Sequence, residues 1–242
     1  MAMKTKINFI VVFIITCLLA LINGCGKEMP PPAQSGTVTD KQGNVYKTVK
    51  IGNQTWMAED LKATEYWGGF AVEQIESDTA AWSQDTVGAY CTGANGILYN
   101  WYAVHSKKHR ITPAGWHIPT DADWKTLEKY LGMSAEDADK MSWRGTHEGE
   151  KLKMTGVDNW LQYLDVWATN ESGFSALAGN CRLFNGKGGD PIGTGYMGFW
   201  WSNTEDSSNH QVWYRHLDYK NTNVFRFYGP KTYGFSVRCV KD

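Results

Sequence analysis

A pair of histidines and one further histidine are the residues of this sequence whose type and spacing come closest to those of a metal or catalytic site. His105 and His109 are four positions apart, a spacing that would place two metal ligands on one face of a helix. Between them, Ser106, Lys107 and Lys108 supply no third ligand, and the two lysines would repel a cation. We therefore predict that this pair binds no metal.

The further histidine is His117, in the stretch GWHIPTDADWKTLEKYLG at residues 115–132. Pro119 biases the residue before it towards an extended backbone, and Thr120 stands where a helix N-cap belongs. Asp123, three residues later, completes a weaker version of the capping box, in which Glu or Gln is usual. Because every position has a structural role, we interpret the ring of His117 as a hydrogen-bonding group of the loop before the helix and not as a catalytic base. The residues assigned to this helix start are Trp116, His117, Pro119, Thr120 and Trp124.

Motifs of the common catalytic sites are missing from the sequence. The chain has no G-x-S-x-G turn, no H-E-x-x-H and no G-x-x-x-x-G-K-[ST] phosphate loop. The glycine-rich stretch 184–198 is interpreted as an irregular connection, because no helix clearly follows it to bind a phosphate. The sequence therefore predicts a protein that is not an enzyme and that uses no metal and no cofactor. A pair of carboxylates acting on a glycan stays open, since sequence positions do not give their separation.

Aromatic residues are unusually abundant, with 12 Trp, 12 Tyr and 9 Phe among 242 residues. Most of the tryptophans are expected to pack in the core, because a buried indole removes ~150–250 Å² from water. Trp200 and Trp201 are neighbours in a predicted strand, so one is expected to point inward and the other outward. The candidate groups for stacking on a ligand are Tyr196, Trp200, Trp201 and Trp213. A formal net charge of −1 gives no electrostatic reason to bind nucleic acid or an anionic membrane surface.

The hydrophobic pattern changes along the chain from strands to helices and back to strands. From Gly36, alternating residues interrupted at 40–44 and 52–54 predict three short strands. Residues 62–96 have no sustained period and are predicted to form a long ordered loop. Residues 97–109 fit a helix or a strand, and the helical spacing of Leu98, Trp101, Tyr102 and His105 favours the helix. Helices are also predicted over 120–132 and 134–153, and strands near 174–177 and over 198–203, 212–217, 223–228 and 234–242. This order predicts an α+β domain.

Three cysteines fall within this domain, at Cys91, Cys181 and Cys239. Their number is odd, so at most one intrachain bridge can form, and which two of them pair is left open. No pair has C-x-x-C spacing, which argues against a zinc knuckle or a redox dithiol.

The first residues have the pattern of an export signal. Lys4 and Lys6 precede an apolar run of 16 residues, so a charged region is followed by a hydrophobic one. The LINGC that follows resembles the lipobox of bacterial lipoproteins, which implies that Cys25 is acylated and begins the mature chain. Residues 1–24 would then be a signal peptide and residues 25–36 a lipidated tether, held extended by three consecutive prolines. The alternative is an uncleaved membrane anchor in which the cysteine is incidental.

Six segments together resemble one protein family. They are GNVYKTVKIGNQTWMAEDL, GILYNWYAV, GWHIPTDADWKTLEKYLG, NESGFSALAG, GFWWSN and GFSVRCVKD. In this order they are similar to the Fibrobacter succinogenes major paralogous domain of many Bacteroidetes and Fibrobacter lipoproteins, as one domain over residues 37–242. That family has no established biochemical activity. A more distant similarity to the sulfatase-modifying-factor branch implies a C-type lectin-like fold, with two helices packed on a twisted antiparallel sheet and long ordered loops.

Two departures from these relatives limit what the resemblance implies. Many family members have Cys-Pro before the Gly-Trp-His segment, where this chain has Thr112 and Pro113, so no disulfide to Cys239 is implied from that point. Calcium-dependent lectins use Glu-Pro-Asn or Gln-Pro-Asp together with Trp-Asn-Asp. Here the nearest segments are DPI at 190–192 and WSN at 201–203, so calcium-dependent sugar binding is not expected.

These observations predict a lipoprotein of the cell envelope, anchored in the outer membrane by its N-terminal lipid and either periplasmic or surface-exposed. Its expected role is a non-catalytic binding or adhesion module, whose glycan or protein ligand meets the loops around residues 184–211. Two alternatives stay open: a structural envelope component without a ligand, and a carboxylate-dependent enzyme acting on glycans.

Replacing Cys25 by serine tests the lipid anchor. We expect a palmitate analogue supplied to growing cells to label the wild-type chain and to leave Cys25→Ser unlabelled, because the thiol that accepts the lipid is gone. Cys17→Ser, in which the altered cysteine lies inside the predicted signal peptide, is the matched control and should be labelled like the wild type. Equal labelling of Cys25→Ser and the wild type would disprove the assignment.

Overall fold

Strands dominate the fold. The computed structural model describes residues 34–106, 109–183 and 195–242, so the predicted signal peptide, Cys25, most of the tether and the DPI segment lie outside the described residues. The strands within these ranges are β1 Gln34–Thr39, β2 Val45–Ile51, β3 Gln54–Met57, β4 Glu73–Gln74, β5 Ala89–Gly93, β6 Gly96–Tyr99, β7 Trp116–His117, β8 Ser142–Arg144, β9 Met197–Asp206, β10 Gln211–Asp218, β11 Val224–Gly229 and β12 Val240–Lys241. The helices are α1 Thr79–Gln84, α2 Trp101–Val104, α3 Asp121–Tyr130, α4 Ala135–Asp139 and α5 Glu148–Leu152. None of these helices is both long and apolar enough to cross a lipid bilayer.

The strands form three sheets. A five-stranded sheet has the order β1-β2-β3-β12-β7, a four-stranded sheet the order β8-β11-β10-β9, and a three-stranded sheet the order β4-β5-β6. All pairings are antiparallel except that of β4 with β5. In the first sheet, β12 lies between β3 and β7, so Val240 pairs with both Trp56 and His117. The last strand therefore joins the N-terminal hairpins to the start of α3.

The turn between β1 and β2 is held by one carboxylate. Oδ1 of Asp40 accepts hydrogen bonds of 2.9 Å from the backbone N–H groups of Gln42 and Asn44. Its Oδ2 accepts a bond of 2.7 Å from the hydroxyl of Tyr46, the first buried residue of β2. Asp is favoured in turns because its side chain can bond to the backbone in this way. The first strand begins at Gln34, inside the segment assigned to the tether.

The capping box of α3 is present, as the sequence predicted. Oγ1 of Thr120 accepts a hydrogen bond of 3.1 Å from the N–H of Asp123, and Oδ2 of Asp123 accepts one of 2.8 Å from the N–H of Thr120. After Tyr130 the chain passes Leu131 and turns at Gly132, which has a φ of +122° that favours glycine. The interactions that start and end this helix therefore lie within a few residues of one another.

Five predictions about elements are wrong. The strand predicted near 174–177 is only an isolated bridge at Ala176, and the strand predicted over 234–242 is reduced to β12. Residues 62–96 contain β4, α1 and β5 in place of one long loop. The helix predicted over 97–109 is instead β6 followed by the single turn α2, because the side chain of Asn100 caps the N–H of Ala103 and starts the helix late. The helix predicted over 134–153 starts at its cap Ser134 but ends at Asp139, since Ser142 takes a left-handed φ of 69° and begins β8. The described part of the chain is thus mainly β with five mostly short helices, and not the predicted arrangement of two helices on a sheet.

Tryptophan rings fill the interior between these elements. The ring of Trp56 on β3 lies 5.1 Å from that of Trp124 on α3, and Phe174 lies 5.7 Å from each of them. Cys91, Cys181 and Cys239 are all buried, and no disulfide joins any two of them. Burial raises the pKa of the Cys91 and Cys239 thiols, which makes their reactive thiolate forms less accessible.

The cap of α3 gives a test of the fold. We expect Thr120→Ala to lower the free energy of unfolding by about 1 kcal/mol, because the N–H of Asp123 loses its partner. Thr126→Ala is the matched control, since Thr126 is exposed on the same helix and only bonds back to the carbonyl of Ala122. Urea unfolding of both variants checks this, and equal stability of the two would contradict the capping role.

Candidate functional site

A buried network of charges joins α3 to the four-stranded sheet. Glu128 is fully buried, and its two carboxylate oxygens accept hydrogen bonds of 2.6 Å from Nη2 of Arg144 and from Nε of Arg215. At the start of the helix, Asp121 accepts bonds of 2.9 and 2.8 Å from Nε and Nη2 of Arg226. The three arginines stand on β8, β10 and β11. Breaking a buried pair of this kind costs about 3–5 kcal/mol, because it leaves the partner charge uncompensated.

Asp121 is ionised in this network. Burial alone would raise the pKa of its carboxyl, but the hydrogen bonds and charges of Arg226 and Arg215 outweigh burial and hold the pKa well below its usual range. The charged side chains around Asp121 are thus engaged with one another. We use the word frame for the buried charged and aromatic side chains that hold the helices and sheets together.

A second buried ion pair, between Asp60 and Arg238, holds the segment after β3 against the segment before β12. Oδ1 of Asp60 lies 2.8 Å from Nε and 2.7 Å from Nη2 of Arg238, and accepts a bond of 3.0 Å from Nε1 of Trp200. Arg238 also donates to the carbonyl oxygens of Phe174 and Ser175. The guanidinium of Arg238 is therefore engaged by one carboxylate and two backbone carbonyls.

This ion pair contributes to the lining of a cavity of about 540 Å³, which we call the Asp60 pocket. Four of the six segments that carry the family resemblance contribute to its walls. Its polar lining residues include Lys47, Glu59, Asp60, Asn170, Ser175 and Arg238. No Trp, Tyr or Phe lines it. The guanidinium in the wall of the Asp60 pocket, that of Arg238, is thus already engaged by Asp60 and by two backbone carbonyls.

His117 lies between two carboxylates. Its Nδ1 is 2.7 Å from Oδ1 of Asp242 and its Nε2 is 3.3 Å from Oδ2 of Asp123. The hydrogen bond to Asp123 raises the pKa of His117, and Asp242 adds to this against the effect of burial. The ring does not line the Asp60 pocket, and it ties the start of α3 to the residue after β12.

The other two histidines of interest are also held by neighbouring side chains. His105 stacks on Trp101 with ring centroids 4.0 Å apart, and its Nδ1 bonds to Oδ1 of Asn203. His109 lies beside Phe70, with ring centroids 4.8 Å apart. Within residues 34–106, 109–183 and 195–242, no three His, Cys, Asp or Glu side chains gather as metal ligands.

Three of the four residues predicted to stack on a ligand belong to the frame. The exposed fractions of Trp200 and Trp201 are 1% and 0%, so the expectation that one of them points outward is wrong. Nε1 of Trp201 donates to the carbonyl of Tyr99 at 2.8 Å, and strand β9 is covered on both faces where these two residues stand. Trp213 is half-buried, with the guanidinium of Arg226 3.6 Å from the centre of its ring.

Tyr196 is the predicted residue that does lie at an exposed aromatic surface. Its ring is 5.1 Å from that of Tyr219, which in turn is 5.7 Å from that of Tyr163. Five of the twelve exposed large apolar side chains of the described chain fall within residues 157–167 beside these rings. We call the whole surface the aromatic patch, and its members are Val157, Leu161, Tyr163, Leu164, Trp167, Tyr196 and Tyr219.

A cavity of about 160 Å³, the Lys153 cavity, opens within the aromatic patch. Trp160, Trp167 and Tyr219 contribute aromatic walls. Lys153 also lines this cavity although only 1% of its surface is exposed. Its Nζ donates hydrogen bonds of 2.6 and 2.7 Å to the carbonyl oxygens of Asp218 and Asn221. Burial lowers the pKa of Lys153 to about 8, against the opposing charges of nearby carboxylates.

Helix α5 places Lys153 over the turn between β10 and β11. Gly149 lets the helix approach this turn closely, since a Cβ there would collide with the carbonyl oxygen of Asn223. The N–H of Glu150 donates to the carbonyl of Thr222 at 3.1 Å, and Lys153 follows the end of the helix. The sequence prediction missed Lys153, Tyr163 and Trp167. The available signal was a run of apolar and aromatic residues at 157–167 without a helical or strand period.

The contacts of His117 predict a pH-dependent contribution to stability. A raised pKa in the folded state means that the contribution is fully present below the unfolded value of about 6.5, and is lost as pH rises through the folded value. We expect the difference in unfolding free energy between wild type and His117→Asn to be largest near pH 5–6 and to shrink towards pH 8. Urea unfolding across this range measures it. Parallel curves for the two proteins would contradict this role of His117.

Comparison with known proteins identifies the family. The model of the Fibrobacter succinogenes major domain matches residues 49–241, from the end of β2 to β12. No curated protein and no solved structure matches the chain. The match covers more than half of the chain and includes both the buried charge network and the aromatic patch. The chain therefore belongs to the Fibrobacter succinogenes major domain family.

Proposed function

We propose that this protein is an envelope-anchored lipoprotein whose domain is a non-catalytic module that binds carbohydrate through the aromatic patch. The observation that carries the proposal is the concentration of exposed apolar side chains in residues 157–167, next to a cavity with aromatic walls. The resemblance of LINGC to a lipobox supports anchoring at Cys25, in the outer membrane.

The exposed rings favour a sugar as the ligand. Trp167 is 59% exposed, and leaving such a side chain in water is unfavourable unless a ligand covers it. A pyranose ring has an apolar C–H face that can pack on an indole or phenol ring, while its hydroxyls keep contact with water. Tyr163 and Tyr219 have polar hydroxyls on apolar rings, which suits a ligand of this mixed character.

The size of the Lys153 cavity supports a ligand with one sugar unit inside the cavity and the rest of the oligosaccharide outside it. Pockets for drug-sized ligands measure about 300–1,000 Å³, and this cavity of about 160 Å³ is smaller. A specific protein interface buries about 1,200–2,000 Å² in total, which is far more than a single ring would cover. We therefore favour an oligosaccharide over a protein partner.

We also propose that the sheet-rich domain has a C-type lectin-like fold, as the resemblance implies. Supporting this, the residue before the helix start IPTDADW and the residue after the terminal GFSVRC segment are strand partners, because His117 on β7 pairs with Val240 on β12. The catalytic alternative has less support. Oδ1 of Asp60 is occupied by Arg238 and Trp200, and Glu59 is its chain neighbour and not a carboxylate across a cleft.

Replacing Trp167 tests the proposed function. We expect the full chain in detergent micelles to bind a subset of glycans on an array, and Trp167→Ala to weaken this binding at least about tenfold (about 1.4 kcal/mol). Phe70→Ala is the matched control, because Phe70 is also 59% exposed but lies outside the aromatic patch. Its binding should equal that of the wild type. Absence of glycan binding by the wild type, or equal binding by the two variants, would contradict the proposal and favour a structural role.

A further inference from the structure

One charged side chain lines the Lys153 cavity, and it is Lys153. An ammonium group has three N–H donors, and two of them bond to the carbonyl oxygens of Asp218 and Asn221. Among the residues that the structure describes, no carboxylate lies within ion-pair distance of its Nζ. The positive charge faces the ring of Trp160, whose centre lies 5.2 Å from Nζ, and the third donor has no acceptor among the described residues.

The nearest acidic side chain on α5 is already engaged. Glu150 accepts a hydrogen bond of 3.0 Å from the backbone N–H of Trp167 on Oε1, and its Oε2 lies 2.7 Å from Nδ1 of His147. These contacts hold Glu150 beneath the segment that carries Trp167. Glu150 thus positions the wall of the cavity and does not pair with Lys153.

We propose that the Lys153 cavity binds an acidic sugar, with the ammonium of Lys153 paired to the carboxylate of a uronic acid unit. This inference rests on the proposed carbohydrate-binding function and names its substrate class. A buried ammonium without a carboxylate partner is unfavourable, so a ligand carboxylate that supplies the missing acceptor gains both an ion pair and a hydrogen bond. A neutral sugar would leave the ammonium without an opposite charge.

The donor set favours a carboxylate over a sulfate or phosphate group. One available N–H and one positive charge match a single carboxylate oxygen. Sulfate and phosphate offer more acceptor oxygens and are better matched by guanidinium forks or several backbone N–H groups. Lys220 adds positive charge at the rim, with its Nζ 5.4 and 5.2 Å from the ring centres of Tyr163 and Tyr219. The charge of Lys220 can attract an acidic oligosaccharide towards the cavity.

Titration of Lys153 predicts how binding changes with pH. The groups that face it are Asp218 and Glu150, whose charges favour its protonated form, and His216, whose pKa is lowered to about 3 by burial and by Lys153. His216 is therefore neutral from pH 5 to 8. Lys153 has a pKa of about 8, and a uronate is ionised above about pH 4–5. Binding of the acid should be strong at pH 5–7 and weaken above pH 8.

Titration calorimetry of the full chain in detergent micelles tests the inference. The probes are trimers of galacturonate, glucuronate and mannuronate, each compared with its neutral methyl ester. We expect at least one free acid to bind at least tenfold more tightly than its ester at pH 6, with the preference falling at pH 9. In Lys153→Met the preference should disappear, whereas Lys220→Met, which removes only the rim charge, should keep most of it.

The outcomes separate this inference from the proposed function. If neutral oligosaccharides bind, require Trp167 and compete equally with the acids, the Lys153 inference is wrong while carbohydrate binding stands. If no saccharide binds, both are wrong. Should Lys153→Met fail to fold, the acid-over-ester preference of the wild type and its loss at high pH still decide, since equal binding of acid and ester at pH 6 overturns the inference.

Discussion

The ion network between α3 and the four-stranded sheet is the interaction on which the described structure depends. Asp121 and Glu128 are seven positions apart and therefore lie on one face of the helix, while Arg215 and Arg226 are directly paired across β10 and β11. Each carboxylate must meet its guanidinium partners, so the helix has one position on the sheet. Buried ion pairs add little net stability compared with apolar packing, but a mismatched one is strongly unfavourable. The network therefore specifies the arrangement of helix and sheet more than it strengthens it.

The aromatic abundance of the sequence follows largely from this frame. Guanidinium groups lie over indole rings, as for Arg226 over Trp213 at 3.6 Å, and buried indoles donate to buried acceptors, as Trp200 does to Asp60. Rings used in this way are not available to a ligand. The aromatic patch is different, because residues 157–167 follow α5 and contain no helix or strand. Lys153 bonds to two carbonyl oxygens of the turn after β10 and so holds its cavity against this turn. The binding surface is therefore preorganised before a ligand binds.

The sequence predicted those features that local interactions determine. Thr120 and Asp123 form their capping box within four residues, and the strand alternation around Tyr46 is read directly from the chain. Prediction from the sequence failed where segments that are distant in the chain determine which side chains are buried. Trp200 and Trp201 alternate as expected, but separate parts of the chain cover both faces of β9. Charged residues at strand positions, such as Arg215, look solvent-facing until their partners on a helix are known. The same limit hid Lys153.

The central claim is that the tryptophans of the frame and the aromatic residues of the binding surface are separate sets. Resolving the indole N–H signals of the 12 tryptophans by nuclear magnetic resonance, while titrating the full chain with its best-binding oligosaccharide, tests this claim most directly. The account predicts that the signal of Trp167 shifts with saturable dependence on sugar concentration, and that those of Trp200 and Trp201 stay in place. Saturable shifts at Trp200 or Trp201 with none at Trp167 would contradict it.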